Sequence, residues 1–355
     1  MTESPAAETA PTAAVGSPPP AAAESHAADA LAGSATAGEA GAGAPVPADP
    51  GPHGQLLHPK LSPTEQGVRV FFLLCAASAL GQMLLITVFL FSEALGLFFP
   101  APGDRAVPLL EFFFSLDWFP TYPQPSFGSG ALILGSLSVT FASVLLAAPL
   151  GVGLAVYLSC LAGNRVREVL KPAVELLASI PSVILGFVGM VTIAPFMQNQ
   201  LNLPTGLNVL NCAIILAVMS TPTIASLGED ALTAVPQSVK DASFALGATR
   251  WETIFRVILP ASLSGLSTAV ILGLGRALGE TIVVLMVAGG AAQVPHSIFD
   301  SVRPLTSTLA AEMGETAVGS PHYHALFALG VILFFMTLAL NLTAFWLGKR
   351  FRKNA

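Results

Sequence analysis

Six long apolar runs constrain this chain more than any other feature. Each is close to or above the roughly 20 residues that cross a bilayer as a helix. They are expected near residues 68–95, 130–158, 172–196, 209–227, 261–288 and 325–347. Several exceed what a bilayer requires, which permits tilt or an extra turn beyond it. The chain is 53% hydrophobic and 10% charged, whereas a soluble domain carries about 25% charged residues. The expectation is an all-α integral membrane protein with six transmembrane helices.

The formal charge of −6 is a property of one end. Residues 1–59 hold Glu3, Glu8, Glu24, Asp29, Glu39 and Asp49 but no Lys or Arg, and the remainder balances 15 acids against 15 bases. Neither the charge nor the pI argues for a nucleic-acid partner. The same 59 residues are rich in Ala, Pro, Gly and Ser. Such a stretch cannot bury enough apolar surface to offset its ordering entropy. It reads as a disordered tail, without the basic start and early apolar core of a signal peptide. Residues 60–355 read as the membrane domain.

Lys and Arg in short loops set orientation. Arg165, Arg167 and Lys171 follow the second run. Lys240, Arg250 and Arg256 lie between the fourth and fifth, and Lys349, Arg350, Arg352 and Lys353 follow the sixth. Lys60 and Arg69 precede the first, whereas the opposite loops hold only Arg105 and Arg303. This bias predicts a multi-pass protein of the cell (plasma or inner) membrane with both termini cytoplasmic. The loop over residues 228–258 is then cytoplasmic too.

Within that loop, residues 241–260 read DASFALGATRWETIFRVILP. Ser238 and Asp241 form an S-x-x-D capping pattern, Gly247 supplies a left-handed stop, and Thr249 and Glu252 form a T-x-x-E capping box. Pro260 is expected to open the next membrane helix, where its missing N–H costs little. The pattern predicts two short helices around a turn, a folded loop suited to being gripped by a partner.

Arg276 and Glu280 read as the only ionisable residues well inside a span, four apart on one face of the fifth helix. An Arg at bilayer depth costs at least about 2.5–3.5 kcal/mol on insertion scales, so it needs a partner or water. Either Glu280 locks the bundle by neutralising Arg276, or the pair lines a transport path. Gly273, Gly275 and Gly279 favour the path, because they leave room beside the guanidinium. An Arg fork offers a tetrahedral oxyanion two parallel donors. Glu280 is expected to hold the Arg rotamer in the empty site. It is also expected to accept a hydrogen bond from a protonated oxyanion such as hydrogen phosphate, which sulfate cannot offer.

The loop resembles the EAA loop of ABC-importer permeases, E-A-A-x3-G-x9-I-x-L-P. It reads D-A-S, then Gly247, then V-I-L-P ending at Pro260. The run GRALGET after it resembles the permeases of the phosphate-specific ABC importer. IPSVILGFVGM, LGRALGETIVVLMVAGG and PHSIFDSVRPLTSTLAAEMGE are similar to the PstC type rather than the PstA type. The resemblance runs from about Val68 to Lys353. It implies the type I importer architecture and a permease subunit of an ATP-driven phosphate importer. The implied partners are a PstA-type permease, two ATPase subunits and an extracytoplasmic phosphate-binding protein, with inorganic phosphate as cargo. It assigns Arg276 and Glu280 to the translocation path. Asp241, Ala242, Gly247, Leu259 and Pro260 mark the loop that docks on the ATPase. A permease for molybdate or sulfate is the close alternative, and an ATP-independent channel or secondary transporter the distant one.

No lysine sits in a G-x4-G-K-[ST] phosphate loop, and neither G-x-S-x-G nor H-E-x-x-H occurs. The chain thus reads as a transport subunit and not an enzyme, with no cofactor of its own and ATP on a partner chain. Cys75, Cys160 and Cys212 read as small buried hydrophobes. His296, His322 and His324 lack metal-ligand spacing. Trp118, Phe119 and Tyr122 form either an aromatic membrane belt or a surface for an external partner. Glu312 and Glu315 read as an exposed face of an external helix.

Overall fold

Apolar runs of this length become helices because a backbone in hydrocarbon must satisfy its own N–H and C=O groups. A computed structural model describes residues 63–100 and 106–354. The expected tail over residues 1–59, Lys60 and Arg105 lie outside the described residues. Residues 68–355 form one compact unit.

Among the described residues, six helices are long and apolar enough to cross a membrane. The first is α1 (Pro63–Phe98) and the second is α3 (Gly130–Val156), which a π-helical turn extends to Leu161. The third is composite: α5 (Ser182–Val188), a π turn, and α6 (Ala194–Leu201). The fourth is α7 (Val209–Thr233). The fifth joins α9 (Arg250–Thr253), a π turn and α10 (Leu259–Leu278), and the sixth is α13 (Pro321–Asn354). Smaller elements connect them: α2 (Leu109–Phe114), an antiparallel pair β1 (Trp118–Phe119) and β2 (Ser126–Phe127), α4 (Asn164–Ala178), α8 (Gln237–Ala245), α11 (Ile282–Val287) and α12 (Leu305–Glu312).

Three expected spans are redrawn. The third starts at Ser182 rather than 172, because residues 164–178 form the separate amphipathic helix α4 and Pro181 interrupts the path. The fourth runs on to Thr233, which brings Glu229 and Asp230 into the helix. Arg276 and Glu280 are therefore not alone. The fifth starts at Arg250 and stops at Leu278, whereas hydropathy carried it from 261 to 288.

The central helix is α7, which packs on α3, α10 and α4. Helices in lipid associate through close packing rather than through hydrophobic exclusion, so small residues mark their crossings. A Cβ added at Gly151 or Gly273 would press on Ile224 of α7, one at Gly228 on Ala155, and one at Gly265 on Ala231. At the end of the bundle where α3 begins, a second core gathers Leu97, Phe112, Trp118, Phe127, Leu132, Leu305, Leu326 and Leu329. Trp118 is buried there, so it serves neither as a membrane belt nor as a partner surface. Phe119 and Tyr122 remain exposed and stack at 4.9 Å. Of the cysteines only Cys212 is buried; Cys160 is half-buried and Cys75 is exposed on α1.

The segment after α11 is pinned to α7. The Val209 and Leu210 N–H groups donate to the Asp300 and Ile298 carbonyls, and the Asn208 side chain caps α7 by accepting from the Asn211 N–H at 2.9 Å. Gly289 makes the turn that permits this, with φ +92°. A Cβ there would strike the Ser301 side chain and come within 2.5 Å of the Leu207 carbonyl oxygen. Gly289→Ala combines left-handed strain with a backbone clash and is expected to cost about 2–4 kcal/mol. Gly290→Ala, at φ +77° with no atom in the way, carries the strain alone. Thermal unfolding in detergent is expected to show a clearly lower midpoint for Gly289→Ala than for Gly290→Ala; equal midpoints would refute the clash.

Candidate functional site: a folded loop joined to a broken helix

The loop between α7 and α10 folds through its own backbone. The N–H of Ala248 donates to the Ser243 carbonyl and that of Gly247 to the Phe244 carbonyl. This is a Schellman closure with Gly247 in the left-handed region at φ +84°. Thr249 then caps α9: its Oγ1 accepts from the Glu252 N–H, and the Glu252 carboxylate accepts from the Thr249 N–H at 2.9 Å. The Thr249 box and the Gly247 stop form as their spacing predicts.

The Ser238–Asp241 cap does not form. α8 begins after Pro236 with no side-chain cap, and Asp241 instead accepts from Gln237 Nε2 at 2.9 Å, one turn back. Pro236 already starts the helix by fixing its entry dihedral, which leaves Ser238 inside the first turn.

Two ties hold the loop to the bundle. Ser243 Oγ and Thr253 Oγ1 meet at 2.9 Å in a buried contact between α8 and α9. Arg250 donates through Nη2 to the Cys160 carbonyl in the π turn that ends α3. The loop's outer surface is apolar: Leu246 is 90% exposed, and Phe244, Trp251 and Phe255 are exposed beside it. Asp241, Ala242 and Gly247 lie on this surface, and Leu259 and Pro260 lie further along the same helix.

Pro260 stands in the first turn of α10, as expected, but α10 does not start afresh there. It lies within a continuous helical run, Arg250–Leu278. Proline lacks the N–H for the bond one turn back. The π turn just before it, where the Leu259 N–H reaches back to the Ile254 carbonyl, shifts the hydrogen-bond register so that the helix passes through. The last part of the folded loop, α9, and Arg276 are therefore parts of one rod. Arg250 and Arg276 are about 40 Å apart along it at 1.5 Å per residue.

Arg276 and Glu280 do not share a helix face. The helix ends at Leu278, Gly279 caps it, and Glu280 lies in the break before α11. Arg276 is exposed on the last turn and its Nη1 approaches Thr223 Oγ1 of α7 at 3.5 Å. Glu280 is half-buried, and its carbonyl accepts from Thr306 Oγ1 of α12 at 2.8 Å. Among the described residues no carboxylate lies within 4 Å of Arg276, so Glu280 does not hold its rotamer. Gly275 has open space where a Cβ would be, and Gly279 meets only its own helix backbone. Gly273 has the different task of packing on Ile224. The break borders a cavity of about 400 Å³ lined in part by Gly279, Thr281, Thr306 and Phe327. Irregular backbone at membrane depth is tolerated where protein covers it or where it lines a cavity.

Two charged clusters were hidden in the sequence. Glu229 of α7 is buried and pairs with Arg167 and Lys171 of α4. At the opposite end, Glu312 is half-buried rather than exposed. It accepts from Trp118 Nε1 at 3.1 Å and from Arg303 Nη1 at 2.8 Å, and lies 2.9 Å from His322 Nε2. Glu315 is exposed, and with Trp118, Arg303, Glu312 and His322 it lines a separate cavity of about 420 Å³. His324 packs against Glu93 of α1, and no three His, Cys, Asp or Glu side chains converge among the described residues. Only the E-M-G-E spacing hinted at the Glu312 cluster.

Comparison with known proteins agrees with this architecture. The family model described as a binding-protein-dependent transport system inner membrane component matches residues 147–354. A probable ABC transporter permease protein, YqgH, of Bacillus subtilis is 39% identical over 79% of this chain and 90% of its own length. The phosphate transport system permease protein PstC of Mesorhizobium japonicum is 35% identical over 74% of this chain and 85% of its own. A bacterial ABC transporter for import of the polysaccharide alginate shares the fold, with a TM-score of 0.54 at 15% identity over 81% of this chain and 99% of that one. With six membrane-crossing helices, a folded loop between the fourth and fifth, and these relatives, the chain belongs to the inner membrane components of binding-protein-dependent transport systems.

Proposed function

We propose that this permease is the PstC-type subunit of an ATP-driven phosphate importer. One observation carries the reading: a single continuous helix joins the capped loop to Arg276 at a helix break, beside Gly275, which has open space where a Cβ would be. Relatives bearing the phosphate permease name support the substrate. In this reading a PstA-type permease completes the path, two ATPase subunits seat on the Gly247 loop, and an extracytoplasmic protein delivers phosphate. ATP stays on the ATPase subunits. The chain crosses the plasma membrane with both termini and the folded loop on the cytoplasmic side, in keeping with the Lys and Arg bias.

The mechanism follows from the rod. Closure of the ATPases moves the Gly247 loop, and the π turn and Pro260 pass that motion to α10 without a hinge. Arg276 offers its N–H fork to the anion. Glu280, across the break, accepts a hydrogen bond from the P–OH of hydrogen phosphate. The test is uptake of radiolabelled phosphate, sulfate and molybdate by vesicles holding all subunits, with and without ATP. ATP-dependent phosphate uptake is the expected result. Uptake of another oxyanion alone would overturn the substrate, and uptake without ATP would overturn the coupling.

Glu280→Gln probes selectivity in the same vesicles. An amide keeps one acceptor oxygen but loses the charge that favours a protonated ligand and repels a fully ionised one. Preference for phosphate over sulfate is expected to fall about tenfold, the equivalent of about 1.4 kcal/mol. Unchanged discrimination would remove Glu280 from the substrate path.

A further inference from the structure

One buried carboxylate near the folded loop takes no part in the mechanism above. Glu229 of α7 is 1% exposed, and cations of α4 hold both its oxygens. Arg167 Nη2 pairs with Oε1, and Lys171 Nζ lies 3.1 Å from Oε2. Arg167 and Lys171 are one helical turn apart, so they present one face. Val174 follows on that face and is the buried residue of α4. Val166, Val169, Leu176 and Leu177 are exposed elsewhere on this helix. A charged clamp thus fixes α4 to α7 where a broad apolar face would otherwise do so. Removing one member of a buried ion cluster is costly because it strands the others.

The position of α4 gives the clamp a consequence. Past Ser179 and Pro181 the chain enters α5, which packs on α11. A Cβ at Gly186 of α5 would lie 2.8 Å from Met286 Sδ and 3.4 Å from Val283 Cα. α11 is the segment that follows Glu280 and Thr281 across the break. In the other direction, α7 runs from Glu229 through Thr233 into α8 and the Gly247 loop. Two routes therefore connect the loop to the break. One is the rod that ends at Arg276. The other passes through Glu229, α4, α5 and α11 to the far side of Glu280.

We infer that Glu229 is a positioning residue for transport: its clamp makes α4 and α5 travel with the loop, so that the α11 side of the break shifts against Arg276 in each cycle. This inference rests on the proposed importer function. The test separates motion from stability.

Three chains are assembled with the other subunits in vesicles: wild type, Glu229→Gln, and the uncharged triple variant Arg167→Gln/Lys171→Gln/Glu229→Gln. The triple variant strands no charge, so it removes the clamp without the cost of an unpaired ion. Phosphate taken up per ATP hydrolysed is measured for each. Spin labels at the exposed positions Val183 of α5 and Leu272 of α10 report their separation with and without ATP. The expected result is normal assembly of the triple variant, ATP hydrolysis within about twofold of wild type, and a phosphate-to-ATP ratio lowered at least tenfold. The ATP-dependent change in separation is expected in the wild type and lost in both variants. A triple variant with the wild-type ratio or the wild-type change in separation would overturn the inference. Failure of both variants to assemble would overturn it too, since a structural role then accounts for Glu229. If the wild type hydrolyses ATP but moves no phosphate, the substrate reading fails instead, and the ratio is taken for the oxyanion that is moved.

Discussion

Phosphate uptake by vesicles carrying Arg276→Gln is expected to fall about 100-fold while the assembled complex persists. Arg276 is exposed, lies beside Gly275 and Gly279, and has no carboxylate within reach among the described residues. Among the described residues its side chain makes one hydrogen bond, the long 3.5 Å approach to Thr223. Little in the fold therefore depends on it, and Gln is a tolerable replacement for packing. The anion loses far more. A hydrogen bond to a charged group contributes about 1.5–3 kcal/mol, so losing the charged fork costs about 3 kcal/mol, or two decades of rate at about 1.4 kcal/mol each. Arg276→Lys keeps the charge but not the fork and is expected to fall between the two. Quantified subunits and initial uptake rates check both variants. Wild-type uptake by Arg276→Gln, at equal complex, would make the residue structural.

Gly247→Trp is expected to strip the ATPase subunits from the affinity-purified permease, leaving less than about one-tenth of the wild-type amount. Gly247 sits at φ +84° with open space where a Cβ would be. Any L-residue there carries about 1–2 kcal/mol of left-handed strain. The Schellman bonds of Gly247 and Ala248 and the buried Ser243–Thr253 contact hold the loop against that strain. Gly247→Ala is therefore expected to fold and retain most of the ATPase. Trp adds the same strain and also a bulky ring beside Leu246, which is 90% exposed. The loop surface would then no longer fit a groove shaped to it. Retention of ATPase by Gly247→Trp, measured by gel densitometry of the purified complex, would place the docking surface elsewhere.

These two variants act at opposite ends of the route from loop to break: Gly247 lies in the turn just before the rod begins at Arg250, and Arg276 lies near its far end. If the rod from Arg250 to Leu278 transmits motion, Arg276→Gln leaves ATPase binding intact, whereas Gly247→Trp loses both binding and uptake. The folded loop is only the first part of that route. Thr249, Glu252 and Gly247 make local bonds set by residues within a few positions, and for that reason their motifs were readable. The continuity of the fifth helix through Pro260 was not readable, for the converse reason. That continuity depends on the five-residue π turn Ile254–Ile258, and nothing in the local residue types announces one.

Length and hydropathy alone determined six crossings, because a bilayer of fixed thickness admits few ways to satisfy a backbone. The Gly247 stop and the Thr249–Glu252 box determined the turn of the folded loop, because their hydrogen bonds are local, whereas the Ser238–Asp241 pattern did not form a cap. The tertiary structure alone decided where the fifth helix ends. Its break separates Glu280 from Arg276, and Thr306, far along the chain, satisfies a carbonyl there. It also decided that Glu229 and Glu312 are clamped rather than solvated, since Arg167, Lys171, Trp118, Arg303 and His322 reach them from other elements. Burial and pairing at such distances depend on how helices cross, and spacing along a chain does not encode that.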